Sequence, residues 1–369
     1  MMTHNGLAQP TSSLPFREEG AGGWGAALHP SAVLYAGGRP FPALAACEHY
    51  AGSEKHLRKA LELQNSLQNA GVPLFDVTAD CEDGAPVGGE REQAALIAAL
   101  INSSDNRFDR LGARIHDVRH PAWRDELEII VGNAGWSLAY LVLPKAERAA
   151  DVAEQIAALA ACRARHHITH EIPVHVLIET PGALHEAWQI AALPEVESLD
   201  FGLLDYISAH HGAIPAYAMH APGQFEHPLI ARAKCETATA ALAHGKVPTH
   251  NVTTEFRDPK EVAADARRAR QEFGFLRMWS IHPDQIEPII AAMRPNFAEV
   301  GAATDILCAA AAANWGPIQV DGRLHDRASY RYYWELLQRA RLTGTPLPRA
   351  AREQFFAPFD PAPTQGDSS

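Results

Sequence analysis

Charged side chains follow short apolar runs at regular intervals along this chain. The stretch FDVTADCEDGAP places Asp80, Glu82 and Asp83 directly after such a run. Four later stretches, GARIHD, LVLPKAE, VLIETPGAL and LDFGLLDY, do the same with other charged residues: Arg114, His116, Lys145, Glu179 and Asp205. A single carboxylate in this position is ordinarily a loop residue or a helix N-cap. Several carboxylates with cations between them are side chains that can hold a metal ion or stabilise an anion.

The apolar runs have the spacing of repeated βα units. Eight strands are predicted, at residues 44–50, 74–80, 111–115, 138–143, 174–178, 199–202, 246–251 and 275–281. Segments with a helical period lie between them, for example at residues 53–70, 147–165 and 259–273. Eight consecutive units favour an α/β fold with a closed (β/α)8 TIM barrel over an open doubly wound sheet. The carboxyl ends of barrel strands meet at one rim, so the charged residues are expected to converge there.

The chain divides by composition into four segments. Residues 1–40 are rich in Gly, Pro and Ser and are predicted to form an N-terminal arm. Residues 41–295 are the predicted barrel and catalytic domain, and residues 296–345 are a C-terminal helical lid or oligomerisation segment. Residues 346–369 are predicted to be a flexible tail. The stretch HHGAIPAYAMHAPGQFEHP after the sixth strand is expected to form an insertion at the barrel mouth, before a helix that starts near Pro228.

The acidic composition of the chain indicates which kinds of partner it can bind. The 369 residues include 44 Asp and Glu against 32 Lys and Arg, a formal net charge of -12. Nucleic acids and anionic membranes bind dense basic surfaces, so neither is expected as a partner, and a small molecule is. The five cysteines form no CxxC pair and the N-terminus carries no secretory signal. These features indicate a cytoplasmic protein with free thiols.

Glu179 and Asp205, which follow neighbouring predicted strands, suit a hard divalent cation. Mg²⁺ takes one or two carboxylates and completes its octahedron with water and substrate oxygens. The histidines within residues 166–170 and 210–211 are interpreted as solvated loop residues rather than ligands. The sequence contains no G-x-S-x-G elbow and no P-loop, so serine hydrolases and nucleotide hydrolases lack their motifs here.

Seven stretches together resemble one enzyme family. They are FDVTADCEDGAPVGGERE, ARIHD, YLVLPKAE, VLIETPGAL, FGLLDY, WSIHPDQIEPI and DGRLHDRA. Their order and spacing are similar to those of citrate lyase beta subunits and malyl-CoA lyases, which are Mg²⁺-dependent (β/α)8-barrel carbon–carbon lyases. The resemblance extends from about residue 45 to about residue 330, and outside this range no counterpart is identified.

The resemblance implies roles for individual residues. Glu179 and Asp205 would hold Mg²⁺, which chelates the keto or hydroxy acid fragment. Arg114 would bind that fragment and stabilise the charge of the enolate. Asp326, the last acid of DGRLHD, matches an acid that malyl-CoA lyases supply from an adjacent subunit to exchange the proton. This role implies a homo-oligomer with shared sites, commonly a trimer in this family.

The resemblance also implies supporting roles near the metal. Glu82 and Asp83 match an acidic pair after the second strand that supports the metal waters or Arg114, and Glu82 is therefore grouped with the catalytic residues. Lys145 and His116 are expected to contact the substrate together with Asp83. His116 stands where family members commonly have Asn, which bears on the identity of the substrate more than on the metal.

Three functions follow as hypotheses. The leading one is a Mg²⁺-dependent lyase that cleaves a β-hydroxyacyl-CoA into an acyl-CoA and a 2-keto acid, or condenses them. The second is a metal-dependent aldolase of the same barrel type that acts on small hydroxy-keto acids without coenzyme A. The third is a non-catalytic barrel that binds a metabolite or serves as a subunit of a complex. It is motivated by His116 and by His325, which replaces a usually aliphatic residue.

Overall fold

Eight parallel strands close into a barrel. The computed structural model describes residues 28–35, 41–69 and 71–357. The barrel strands are β1 (Cys47–Ala51), β2 (Phe75–Asp80), β3 (Leu111–Arg114), β4 (Leu141–Leu143), β5 (Val174–Ile178), β6 (Val196–Phe201), β7 (Val247–His250) and β8 (Arg277–Ser280). Each strand pairs in parallel with its neighbours in the sequence, and β8 pairs with β1 to complete the circle. The predicted (β/α)8 TIM barrel is therefore confirmed.

The strands form where the apolar runs predicted them, because a parallel strand in a barrel is buried on both faces. All residues of β2, β3 and β5 are buried. The strand β6 begins at Val196, three residues earlier than predicted. Val196 is buried, but it lies between Glu195 and Glu197, so no apolar run marks the start of the strand in the sequence. Strands β4 and β8 begin later than predicted, since only their last residues join the ladder.

Helices follow each strand of the barrel, and further helices precede and follow the barrel in the chain. They are α1 (Pro30–Leu34), α2 (Glu54–Ser66), α3 (Glu90–Ile101), α4 (Trp123–Ala134), α5 (Ala149–Arg165), α6 (Pro181–His185), α7 (Ala187–Ala191), α8 (Leu203–Ser208), α9 (Gly223–Glu226), α10 (Pro228–Ala243), α11 (Pro259–Phe273), α12 (Pro283–Met293), α13 (Phe297–Ala312), α14 (Arg327–Leu342) and α15 (Arg349–Ala351). In the described part of the chain, no helix combines the length and the apolar character that crossing a membrane requires.

Helix α11 illustrates how local signals set these boundaries. Its N-cap Asp258 accepts the N–H of Lys260 at 2.8 Å and Pro259 occupies the first turn. It ends at Gly274, whose φ of 76° is a left-handed conformation that glycine adopts without a steric penalty. These bounds agree with the predicted helix at residues 259–273.

The segment between β6 and α10 packs against the barrel. It contains α8, a 3₁₀ turn at Ala216–Met219 and α9. Ala218 and Phe225 are buried, so the segment is folded onto its neighbours. The helix predicted to start near Pro228 begins at that residue.

A second hydrophobic core lies outside the barrel, between α13 and α14. Its buried side chains include Tyr330, Trp334 and Leu337. A two-stranded hairpin, Ile318–Val320 with Arg323–His325, connects the two helices. This helical unit occupies the segment that was predicted to form a lid or an oligomerisation surface.

Two segments assigned elsewhere by sequence belong to this second core. Leu34 of α1 is buried in it, although residues 1–40 show no helical period; residues 1–27 and 36–40 lie outside the described residues. Phe356 stacks on Trp334 at a ring-centroid distance of 5.2 Å, so the start of the predicted flexible tail is a packed element. The flexible tail stays a prediction, and residues 358–369 lie outside the described part of the chain.

A layer of buried charge lies in the barrel interior. Arg277 of β8 pairs with Glu48 of β1 at 3.0 Å and with Asp76 of β2 at 2.5 Å. His175 of β5 and Asp200 of β6 are fully buried in the same layer. Burial and the nearby Glu48 carboxylate raise the pKa of Asp200 to about 6. This layer lies away from the strand ends that carry the predicted site.

Candidate active site

Arg114 ends β3 and is held in a fixed orientation by two acids. Its Nε and Nη2 groups donate to the two carboxylate oxygens of Asp80 at 2.7 and 2.6 Å. Its Nη1 lies 2.8 Å from Oε2 of Glu82. Burial alone would lower the pKa of Arg114, but the nearby Tyr50, Asp80 and Glu82 raise it well above its ordinary value. The guanidinium is therefore a preorganised, permanently charged group at the barrel mouth.

Asp80, the last residue of β2, organises the loop that follows it. Its Oδ1 accepts the N–H of Glu82 at 3.0 Å and its Oδ2 accepts the N–H of Gly84 at 2.8 Å. A Cβ at Gly84 would lie 2.5 Å from Oδ2 of Asp80, so the close approach requires glycine. The sequence analysis singled out the acids after the strand and gave Asp80 no role, whereas the structure makes it the bidentate partner of Arg114.

Lys145 contacts acids that follow two strands, β2 and β6. Its Nζ contacts Glu82, lies 3.0 and 2.9 Å from the carboxylate oxygens of Asp83, and lies 3.9 Å from Oδ1 of Asp205. Burial would lower the pKa of Lys145, but the hydrogen bonds that it donates to Glu82 and Asp83 raise it above its usual range. Burial raises the pKa of Asp83, but the neighbouring Lys145 lowers it, and the net effect is a decrease. Lys145 is therefore an ammonium among carboxylates.

Glu179 follows β5 and is almost completely buried, with 2% of its surface exposed. Its Oε1 accepts the backbone N–H of Lys145 at 2.7 Å. Burial first, and the nearby Asp205 carboxylate second, raise the pKa of Glu179 to about 8. A Cβ at Gly202 would lie 2.3 Å from Oε2 of Glu179, so Glu179 occupies space that only glycine leaves open. The glycine in FGLLDY directly after β6 was the available sequence signal for this close approach.

Asp205 lies in the first turn of α8, close to Glu179. Burial raises its pKa although Lys145 opposes the increase. The buried Glu179 and the partly exposed Asp205 both have raised pKa values, and an added cation would stabilise their charged forms. Their hard oxygen donors fit Mg²⁺, which needs only one or two protein carboxylates.

Three other side-chain groups among the described residues also come close enough to share an ion. They are His116 with His120 and Glu126, Glu128 with Cys162 and His166, and Glu48 with His175 and Asp200. Each contains a histidine, so their donor sets differ from the all-carboxylate pair at the mouth and favour softer metals than Mg²⁺.

His116 lies two residues after Arg114, but its imidazole is bound to another element. Its Nδ1 lies 2.6 Å from Oε1 of Glu126 on α4, and its backbone N–H donates to Oε2 of the same residue at 2.9 Å. Its ring stacks on His120 at a centroid distance of 3.7 Å. Burial lowers the pKa of His116, but the hydrogen bond to Glu126 raises it, with a net increase. Glu126 was not found from the sequence, because only the fold brings a mid-helix residue to this loop.

Asp326 is apart from this group within a single chain. It is the N-cap of α14, where its Oδ1 accepts the N–H of Ala328 at 2.9 Å. It is exposed and lines an open pocket with Trp315 and Pro317. Among the described residues, no hydrogen bond or ion pair joins Asp326 to Arg114. Its supply to a neighbouring subunit stays a prediction.

The structure therefore brings most of the predicted site residues into one network of contacts. It contains Arg114, Glu82, Lys145, Asp83, Asp205 and Glu179, and it adds Asp80. Two cations lie beside the carboxylates of the buried Glu179 and the partly exposed Asp205 at the carboxyl ends of the strands, where barrel enzymes bind substrates. This arrangement can bind a divalent cation and stabilise negative charge that develops on a small acid.

Known proteins with similar sequences or structures share this fold. The sequence profile of the HpcH/HpaI aldolase/citrate lyase family matches residues 74–283. A solved structure of a citrate lyase from Burkholderia xenovorans LB400 has 51% sequence identity and a TM-score of 0.78, and the match covers 89% of this chain and 99% of the other.

More distant relatives are enzymes and structures with named ligands. The L-malyl-CoA/beta-methylmalyl-CoA lyase of Cereibacter sphaeroides (strain ATCC 17029) is 26% identical over 279 residues, which are 72% of this chain and 87% of that protein. The protein CitE from Mycobacterium tuberculosis, in complex with magnesium, acetoacetate and coenzyme A, has 22% identity and a TM-score of 0.62, with coverage of 81% of this chain and 98% of CitE. This last likeness shows the fold alone.

Proposed function

Since this chain belongs to the HpcH/HpaI aldolase/citrate lyase family of carbon–carbon lyases, we propose that it cleaves a β-hydroxyacyl-CoA into an acyl-CoA and a 2-keto acid, or condenses them, with Mg²⁺ as cofactor. The relative from Cereibacter sphaeroides, which is named as an L-malyl-CoA/beta-methylmalyl-CoA lyase, supports a CoA ester as substrate. The observation that carries the proposal is the buried Glu179 with Asp205 close to it, beside Arg114 at the barrel mouth.

Glu179 and Asp205 are the proposed ligands of Mg²⁺. When bound there, the cation polarises the oxygens of the keto acid and offsets the charge of the enolate. Glu179 is oriented for this task by the N–H of Lys145 and confined by Gly202. A buried carboxylate with two neighbours that prevent rotation loses little entropy when it binds a ligand.

Arg114 is proposed to stabilise the anion that forms during cleavage. Cleavage breaks the carbon–carbon bond, leaves its electron pair on the enolate of the acyl-CoA and converts the hydroxyl carbon to a keto group. Asp80 and Glu82 fix the guanidinium before the substrate binds, so its donors need no reorganisation as charge develops. Lys145 adds a second positive charge, and Asp83 and His116 are the remaining proposed substrate-binding residues.

Proton exchange is proposed to involve Glu82 and Asp326. The hydroxyl must lose a proton and the enolate carbon must gain one. Burial raises the pKa of Glu82, so this carboxyl holds a proton more readily than an exposed one. Asp326 is proposed to reach the mouth of a neighbouring subunit, in a homo-oligomer with shared sites.

The proposal is tested by keto acid release from a panel of β-hydroxyacyl-CoA thioesters, with Mg²⁺ and with a chelator. Glu179→Gln keeps the shape of the side chain but removes its charge, so we expect activity to fall by at least about 100-fold. Glu62→Gln, at an exposed residue paired only with Lys59, is the matched control and should retain activity. Release that survives in Glu179→Gln would refute the metal assignment, and turnover of a free hydroxy-keto acid without coenzyme A would favour the aldolase alternative.

A further inference from the structure

Two aromatic side chains stack on each other beside Arg114. Tyr50 of β1 and Trp279 of β8 stack with ring centroids 4.6 Å apart and an interplanar angle of 28°. Trp279 packs in the barrel interior with Tyr140, Val142 and Leu177. The Cζ of Arg114 lies 4.7 Å from the centroid of the Tyr50 ring. The pair therefore lies directly beside the guanidinium of the candidate site.

The polar atoms of both rings are buried and have no partner. Oη of Tyr50 and Nε1 of Trp279 make no hydrogen bond in the described part of the chain. By contrast, the hydroxyl of the fully buried Tyr140 is 2.8 Å from the hydroxyl of Thr78. An unpaired buried donor lowers stability, so two adjacent ones beside a binding site indicate a missing acceptor.

The surroundings indicate what that acceptor is. Tyr50 remains a neutral O–H donor because burial raises its pKa well above the ordinary value. Trp279 can only donate. The acids near Tyr50 are Asp80, Glu48 and Glu82, and they are already paired with Arg114, Arg277 and Lys145. Two donors without a protein acceptor, next to a cation, suit an oxygen atom brought by the ligand.

We propose that Tyr50 and Trp279 are specificity-determining residues that donate hydrogen bonds to an oxygen on the carbon skeleton of the keto acid, beyond its 2-keto carboxylate. The substrate class is then a short 2-keto acid that carries a further hydroxyl or carboxylate, rather than one with a plain alkyl end. This inference rests on the proposed function. The two donors would distinguish keto acids that carry this further oxygen from those that lack it.

The test is calorimetric binding of pyruvate and 3-hydroxypyruvate to the full chain in Mg²⁺. We expect the wild type to prefer hydroxypyruvate by about tenfold, the range of one good hydrogen bond, and Tyr50→Phe to remove most of that preference. Pyruvate affinity should stay within about twofold in both proteins. Trp279→Phe removes the other donor and should also reduce the preference, which keeps the test available if one variant folds poorly.

Tyr140→Phe is the matched control, since it removes a bonded hydroxyl. It should lower the melting temperature of the ligand-free protein and keep the preference for hydroxypyruvate. Tyr50→Phe should leave that temperature unchanged or raise it, because no hydrogen bond is lost.

A preference that survives in both donor variants would overturn the inference and assign the donors to a structural water. Mg²⁺-dependent binding of both acids with equal affinity would also overturn it while leaving the proposed function intact. Absence of any keto acid binding would overturn both.

Discussion

The backbone N–H of Lys145 donates a 2.7 Å hydrogen bond to Oε1 of Glu179, while the ammonium of the same lysine lies among the acids that follow β2. One residue thus positions the proposed metal ligand through its main chain and balances charge through its side chain. Its φ of 49° is uncommon for a residue other than glycine. This backbone conformation at a strand end indicates that the loop is constrained by the site.

Gly202→Ala is expected to displace Glu179. The new Cβ would lie 2.3 Å from Oε2 and 2.5 Å from Cβ of Glu179, a contact that requires one of them to move. We expect Mg²⁺ affinity, measured by calorimetry, to fall by at least about tenfold. Gly301→Ala on α13 meets no atom within 4 Å and is the control. Unchanged Mg²⁺ binding in Gly202→Ala would contradict the placement of Glu179 as a ligand.

We expect Asp80→Asn to reduce turnover while the protein still folds. The amide nitrogen cannot accept the N–H groups that Asp80 now receives from Arg114 and Gly84. We expect kcat to fall by about 10- to 100-fold, because Arg114 loses its bidentate partner. Asp125→Asn breaks a similar pair with Arg91 that is exposed, and this control should change little. Equal kinetics in the two variants would show that Asp80 does not position Arg114.

The buried carboxyl of Asp200 predicts a pH-dependent stability. Burial raises its pKa to about 6, so the folded chain keeps a proton there that the unfolded chain loses at lower pH. The contribution is therefore present below the unfolded value near 3.8 and is lost as the pH rises through about 6.

Asp200→Asn should remove this dependence. We expect the variant to gain up to about 3 kcal/mol in free energy of unfolding over the wild type at pH 8, and much less at pH 4, by urea denaturation. Asp305→Asn, at an exposed position on α13, serves as the control. A difference between wild type and Asp200→Asn that does not grow with pH would exclude the buried charge as its source.

The proposed sharing of Asp326 predicts complementation between inactive subunits. Asp326→Asn and Glu179→Gln should each be inactive alone. In a randomly mixed homo-oligomer, about one quarter of the sites combine an intact Glu179 with an intact Asp326 from a neighbour. Co-expressed variants should therefore recover up to about a quarter of wild-type turnover. If oligomers that contain both variants assemble but show no recovered turnover, Asp326 does not act across the interface.

The sequence by itself determined the barrel and the edge at which the site lies. Parallel barrel strands are buried on both faces, so they appear as apolar runs, and their carboxyl ends share one rim wherever the barrel closes. Glu179, Asp205 and Arg114 could therefore be grouped by their positions after those runs alone. Lys145 and Glu82 were placed in the same way, and the structure joins them by direct contacts.

The tertiary structure decided which partner each side chain takes, because contacts between distant segments leave no period in the sequence. Asp80 and Glu82 together hold Arg114, and Glu126 of α4 binds the imidazole of His116. The packing of Leu34 against the C-terminal helices joins segments about 300 residues apart, a distance over which local patterns carry no information. The stacked Tyr50 and Trp279 likewise meet only because β8 returns to pair with β1.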